Sequence, residues 1–134
     1  MIVDTSALIA ILLDEPDAEI LSTAIAASSP RIISAVSVLE ASIVIESKKG
    51  EAGLALLDEL LILAQFEIVA FDDTQQRVAR AAYRRYGKGR HPAGLNFGDC
   101  CTYALASVRE EALLFKGNDF NQTDIALAPL VPAH

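Results

Sequence analysis

Four acidic residues lie where predicted strands end or where the following helices begin: Asp4, Glu40, Asp99 and Asp119. Because the carboxyl ends of parallel strands meet at one edge of a sheet, we expect these carboxylates to lie close together. Clustered carboxylates repel one another, and near neutral pH some of them hold protons unless a cation neutralises them. An all-oxygen ligand set favours Mg²⁺ or Mn²⁺ over Zn²⁺. The pattern therefore predicts a divalent metal site suited to phosphoryl chemistry.

Each of these acids also has a local structural explanation. Asp4 and Asp119 are suited to capping helices, and Glu40 stands three residues after Ser37, the spacing of a capping box. Asp99 falls in the first turn of a predicted helix, where a negative charge complements the helix dipole. None of these explanations requires all four acids to share one edge of the sheet. The caps and the metal site stay open as alternatives on the sequence.

Histidine and cysteine add little to this pattern. His91 falls in a predicted loop and His134 at the C-terminus, so neither is expected to join the acids. The only two cysteines, Cys100 and Cys101, are adjacent, and neighbours in sequence rarely form a structural disulfide. We therefore expect a reducing, cytoplasmic setting.

The acids require a scaffold of short strands that alternate with helices. Apolar runs predict strands over residues 2–3, 31–35, 66–71 and 112–115, with a weaker edge strand over 125–131. Helical spacing, caps and breakers predict helices over 7–13, 18–27, 37–49, 51–64, 75–85 and 97–109. This order predicts one α/β domain over residues 1–134, in which helices cover both faces of a short, mostly parallel sheet.

Basic residues are concentrated in one short segment of an acidic chain. The formal net charge is −7, so bulk charge should not attract nucleic acid or an anionic membrane. No apolar run approaches the roughly 18 residues that a membrane helix needs. We interpret the basic segment as an RNA phosphate-binding surface, with a solvated helix face as the alternative. The segment consists of Arg77, Arg80, Arg84, Arg85, Lys88 and Arg90.

The acids and their neighbours resemble the PIN-domain ribonucleases, in particular the VapC toxins of bacterial toxin–antitoxin pairs. The matching motifs are Ile2-Val3-Asp4-Thr5-Ser6, Ser37-Val38-Leu39-Glu40, Leu95-Asn96-Phe97-Gly98-Asp99, Gly117-Asn118-Asp119-Phe120 and Thr123-Asp124. The resemblance covers the whole chain. It implies a three-layer α/β/α PIN-like domain and a Mg²⁺-dependent endoribonuclease, with Mn²⁺ as a substitute. It also implies an RNA substrate, a VapB-like antitoxin and a homodimer, and it implies growth arrest when the antitoxin is absent.

The same resemblance assigns roles to individual residues. Asp4 and Asp99 are expected to be the main metal ligands, and Glu40 and Asp119 to act directly or through water. The expected supporting residues are Ser6, Asn118 and Asp124. Ser6 is suited to orienting a water molecule or a carboxylate, and its alternative role is that of a hydroxyl at a helix start.

Three other functions are compatible with part of this pattern. A haloacid-dehalogenase-type phosphatase also begins with a strand and an Asp, but it needs a second Asp two residues later, where this chain has Ser6. A phospho-receiver module needs an acidic pair, and Asp72-Asp73 follows the third predicted strand rather than the first. A PIN-like module that binds RNA or protein without catalysis would be expected to lack one of the four acids, and none is missing.

Overall fold

A computed structural model describes residues 1–130 of the chain. Its elements, in chain order, are β1 (Ile2–Val3), α1 (Thr5–Leu12), α2 (Ala18–Ala26), β2 (Ile32–Ser34), α3 (Ala35–Leu63), β3 (Glu67–Val69), α4 (Asp73–Tyr86), α5 (Phe97–Arg109), β4 (Leu113–Leu114) and a 3₁₀ turn (Phe120–Gln122). Each predicted helix and the first four predicted strands are confirmed, with ends that differ by at most two residues. Within residues 1–130 no helix is long and apolar enough to cross a bilayer.

The four strands form one parallel sheet in the order β3-β2-β1-β4. Side chains alternate between the two faces of a strand, and the two faces carry separate apolar cores. Val3, Ile33 and Leu114 pack on the side of α1, α2 and α3. Ile2, Ile32 and Leu113 pack on the side of α4 and α5. The three-layer α/β/α fold is therefore confirmed, and every described strand pair is parallel.

Helix α3 contains the break that Gly50 predicts. The residue has φ +63° and ψ −152°, a backbone conformation that glycine adopts without steric cost. The predicted helices over 37–49 and 51–64 are consequently two arms of one kinked element. The first arm begins at Ala35, two residues earlier than predicted, because the Ser34 hydroxyl accepts a hydrogen bond from the Val36 N–H and caps the helix.

The predicted edge strand over 125–131 is wrong for its described part. Residues 125–130 make a single bridge to the sheet, between Leu127 and Leu113, because Pro129 offers no N–H to continue the ladder. The last residue of that prediction, Val131, and the C-terminal His134 lie outside the described residues. That residues 1–134 form one domain is our proposal.

Candidate active site

The four acids predicted to act together all line one cleft, of about 390 Å³, at the carboxyl edge of the sheet. Asp4 follows β1, Glu40 lies in the helix after β2, and Asp119 lies beyond β4. Asp99 reaches the same edge from the first turn of α5. Short parallel strands thus bring together carboxylates that are up to 115 residues apart in sequence. The cleft is the candidate active site.

Asp4 is buried, with 5% of its surface exposed, and its carboxylate is held by three donors. The Ser6 N–H and hydroxyl both donate to Asp4 Oδ2, at 3.0 and 2.7 Å. The Thr102 hydroxyl donates to Oδ1 at 2.7 Å. Asp4 is therefore the N-cap of α1 and a cleft residue at once, so the two alternatives from the sequence are not exclusive.

Thr102 is a site residue that the sequence reasoning missed. Its side chain is fully buried, and its oxygen lies 3.3 Å from the Ser37 hydroxyl as well as 2.7 Å from Asp4. Because Thr102 stands between Cys101 and Tyr103, the sequence indicates a core position of α5 and no role in the site. The spacing could have revealed that role, because a residue three positions after Asp99 lies on the same face of the helix.

The capping-box interpretation of Glu40 is wrong. Helix α3 begins before Ser37, and the Glu40 carboxylate accepts a hydrogen bond from the Thr5 hydroxyl at 2.9 Å. Burial raises the pKa of Glu40 and the negative charge of Asp4 raises it further, while the Thr5 hydrogen bond opposes both. Glu40 therefore faces the cleft from α3 and contacts Thr5, which begins helix α1 just after strand β1.

Gly98 allows this carboxylate to approach α5. A Cβ atom at residue 98 would lie 2.6 Å from Cδ of Glu40, well inside van der Waals contact. Gly98 belongs to one of the matching motifs, but the motif assigns it no role. The requirement arises between two helices that are distant in sequence, so no local pattern reveals it.

Asp99 combines a capping role with a place in the cleft. Its carboxylate accepts from the Asn96 N–H at 3.1 Å, and Asn96 Oδ1 accepts from the Asp99 N–H at 2.8 Å, which is a complete capping box. Burial, and then the charges of Asp4 and Asp119, raise the pKa of Asp99 to about 7. The carboxylate is thus destabilised in its charged form, as expected of a group among like charges.

Asp119 is the exposed member of the group. Its side chain makes no capping hydrogen bond to the 3₁₀ turn that follows, so the cap interpretation is wrong for this residue.

Lys116 joins the loop after β4 to the start of α1. It donates its backbone N–H to the Ser6 hydroxyl at 2.9 Å. Its ammonium lies 3.2 Å from carboxylate oxygens of both Glu15 and Asp17.

Two predicted supporting residues lie apart from the cleft. Asn118 is exposed and accepts a hydrogen bond from the Asn121 side chain at 3.3 Å. Asp124 accepts a hydrogen bond from the Tyr103 hydroxyl and pairs with Arg85. Neither side chain lines the cleft. Ser6, the third member of that set, does line it and holds Asp4.

The donor set fits a hard divalent cation that retains several waters. Within residues 1–130 no three acidic, histidine or cysteine side chains are arranged tightly enough to enclose a metal ion. Mg²⁺ does not require such a cage, since it is commonly bound through one or two carboxylates and keeps its remaining waters. Five carboxylates line the cleft, and in the described part of the chain only Glu15 among them is paired with a cation, Lys116. The other four concentrate negative charge that such an ion would neutralise, and the raised pKa of Asp99 reflects this concentration.

The predicted basic segment forms an arginine groove on the exposed face of α4. Its walls are Arg77, Arg80, Arg84 and Arg85, and Lys88 and Arg90 follow in the next loop. Arg77 pairs with Asp73 and Arg85 with Asp124, both in exposed positions. Arg77, Arg80 and Arg84 are three and four residues apart and therefore share one side of the helix. Arg85, next to Arg84, lines the same groove.

The chain matches the model of the PIN domain over residues 1–126. The structure is similar to that of Mycobacterium tuberculosis VapC20, a Sarcin-Ricin loop cleaving toxin, with a TM-score of 0.78, 14% identity and coverage of 96% of this chain and 98% of that one. It is also similar to a toxin-antitoxin complex from Klebsiella pneumoniae, with a TM-score of 0.68, 19% identity and 92% coverage of each chain. The family match defines the class of this chain as a PIN domain, and the two solved structures share its fold.

Two sequence relatives show to which group of PIN-domain proteins the chain belongs. Ribonuclease VapC of Mycolicibacterium smegmatis is 57% identical over 94% of this chain and 98% of its own length. Ribonuclease VapC30 of Mycobacterium tuberculosis is 52% identical over 97% and 99%. The chain belongs to the VapC ribonucleases of the PIN-domain family. The predicted family and enzyme class are confirmed, and the phosphatase and receiver alternatives are wrong. Asp72 serves instead as the N-cap of α4.

Proposed function

We propose that this chain is a Mg²⁺-dependent endoribonuclease, with Mn²⁺ as a substitute, and the toxin of a VapBC-type pair. The observation that carries the proposal is the convergence of Asp4, Glu40, Asp99 and Asp119 on one cleft. Family membership supports the reaction class, and the all-oxygen donor set supports the choice of metal.

Asp4 and Asp99 are the proposed main ligands, and Glu40 and Asp119 act directly or through water. A bound Mg²⁺ supplies polarisation of the phosphodiester and a lowered pKa for a water molecule. The protein's part is positioning: Ser6 and Thr102 hold both oxygens of Asp4, and Thr5 holds Glu40. The Asn96 N–H holds one oxygen of Asp99, so each of these three carboxylates has a fixed orientation before substrate arrives.

The arginine groove and the loop after it are the proposed contact for RNA phosphates. Among residues 1–130, Arg80, Arg84, Lys88 and Arg90 form no ion pair with a carboxylate, which leaves their charges available. Such contacts supply affinity without sequence choice, because phosphates carry no base information.

A VapB-like antitoxin is the proposed inhibitor. Its proposed docking surface is the exposed side of α3, where Leu39 and Ile43 are 61% and 63% exposed and Leu54 lines the same shallow cavity. Leu39 is adjacent to Glu40 in sequence, so a helix bound there would lie beside the cleft on α3. A homodimer is proposed as well, and so is a cytoplasmic setting, which the two free, buried cysteines support.

Expression in bacteria tests the toxin proposal. The chain alone should arrest growth, and Asp99→Asn should relieve the arrest while the protein stays folded and abundant. Asp58→Asn, an exposed acid on α3, is the matched control and should still arrest growth. Arrest by a folded Asp99→Asn protein would contradict the proposed role of this residue.

A further inference from the structure

An apolar cavity of about 510 Å³ lies between α4 and α5, next to the acid cleft. Three aromatic side chains line it: Phe71, Tyr83 and Phe97. Phe97 is 74% exposed and Tyr83 is 41% exposed, although both are large and hydrophobic. The volume is within the range of about 300–1,000 Å³ that small-molecule sites occupy. We refer to it as the aromatic cavity.

The aromatic cavity connects the two surfaces already described. Asn96 lines both the aromatic cavity and the acid cleft. Arg80 lines both the aromatic cavity and the arginine groove. A flexible anionic polymer that contacts the arginines and the carboxylates together would therefore pass over the aromatic side chains.

We propose that the aromatic cavity binds one unpaired nucleobase of the RNA substrate, adjacent to the bond that is cut. The inference rests on the proposed function and adds a subsite to it. Aromatic side chains offer stacking faces to any base, and Arg80 and Lys88 at the cavity complement the phosphates on either side of it. A base held within a duplex cannot enter, so the site selects single-stranded or looped RNA.

Charge favours RNA over a protein occupant. A second copy docked here across a two-fold axis would bring its own Arg80 and Lys88 to the same surface, so like charges would meet. Arg80 and Lys88 form no ion pair among residues 1–130, and a phosphodiester supplies the missing negative charge at each nucleotide step. The apolar lining alone would fit other ligands, but aromatic side chains together with these two cations fit the base and the phosphate of a nucleotide.

The test is a double-mutant cycle between protein and RNA. A short unstructured RNA with one mapped cleavage site is compared with two versions, each abasic at one nucleotide that flanks the cut bond. For the wild-type protein, one abasic substitution should lower kcat/KM about tenfold, mainly through KM. Phe97→Ala should lower kcat/KM on intact RNA by a similar factor and should show no further fall on that abasic RNA. Val108→Ala, an exposed apolar truncation at the other end of α5, is the control and should match wild type.

A second measurement separates this inference from the proposed function. Anisotropy of labelled RNA in chelator reports binding without turnover, and the same coupling between Phe97→Ala and the abasic position should appear there. Cleavage without coupling would overturn the proposed nucleobase subsite and leave the proposed nuclease activity intact. Coupling in binding without any cleavage would support the subsite and contradict the nuclease activity. A Phe97→Ala protein with normal KM but a smaller mass in solution would assign the surface to a second copy and overturn the inference.

Discussion

At the residue scale, the site is a set of carboxylates whose orientation is fixed by hydroxyl and backbone donors. Thr102 and Ser6 satisfy Asp4, Thr5 satisfies Glu40 and the Asn96 N–H satisfies Asp99. A buried carboxylate without such partners would cost several kcal/mol. The donors therefore make a concentration of like charge compatible with a stable fold.

Glu40→Gln separates the charge of this residue from its hydrogen bond. The Gln side-chain oxygen can still accept from the Thr5 hydroxyl, so the free energy of unfolding should stay within about 1 kcal/mol of wild type. RNA cleavage should fall by at least tenfold and the required Mg²⁺ concentration should rise, because a neutral amide is a weaker partner for Mg²⁺. Thermal melting and cleavage rates across a Mg²⁺ titration measure both effects. Glu59→Gln, exposed on the same helix, is the control. Wild-type cleavage by Glu40→Gln would remove Glu40 from the catalytic set.

At the element scale, four parallel strands and the starts of α1 and α5 bring the acids to one edge. Local patterns predicted these elements because caps, glycine breaks and apolar spacing are encoded within a few residues of each end. Thr102 and Gly98 escaped because their roles depend on contacts with Asp4 and Glu40, which lie 98 and 58 positions away. The sequence also did not predict the position of Asp124, for the same reason. Its carboxylate contacts Tyr103 and Arg85, which are distant in sequence, and it does not line the cleft.

Gly98→Ala tests the close approach of α3 to α5. Alanine favours a helix over glycine by roughly 1 kcal/mol, so α5 alone should gain stability. The added Cβ would lie 2.6 Å from Cδ of Glu40, and the carboxylate must move away from the cleft. We expect cleavage to fall by at least tenfold with little change in melting temperature. Ser107→Ala, an exposed change near the end of the same helix, should leave cleavage unaltered. Normal cleavage by Gly98→Ala would show that Glu40 need not occupy this place.

At the scale of the whole molecule, charge is divided into separate regions. A chain with a net charge of −7 concentrates five acids in one cleft and four arginines on the exposed face of α4. The arginine groove can attract an RNA backbone that the acid cleft alone would repel. The metal-free protein accordingly carries an electrostatic cost in the cleft, and this cost depends on pH.

The pH dependence of stability measures that cost. The pKa of Asp99 is about 7 in the folded protein against an ordinary value of 3.8. The folded state therefore binds more protons than the unfolded state in this window, so stability should fall as pH rises from about 4 to 7 and then level off. Asp99→Asn should flatten the decline in metal-free protein, whereas Asp58→Asn should retain it. Melting curves of the three proteins in chelator, recorded from pH 4 to 8, measure this decline in stability. An equal decline in Asp99→Asn would assign the effect to other groups.

The most direct test of the central claim is Mg²⁺-dependent cleavage of single-stranded RNA by the purified protein. We expect cleavage with Mg²⁺ or Mn²⁺, none in excess chelator, and full recovery when Mg²⁺ is restored. Asp4→Asn should remain inactive at every Mg²⁺ concentration, and Asp58→Asn should behave as wild type. Cleavage that persists in chelator, or an active and folded Asp4→Asn protein, would contradict the assignment of the acid cleft as a metal-dependent ribonuclease site.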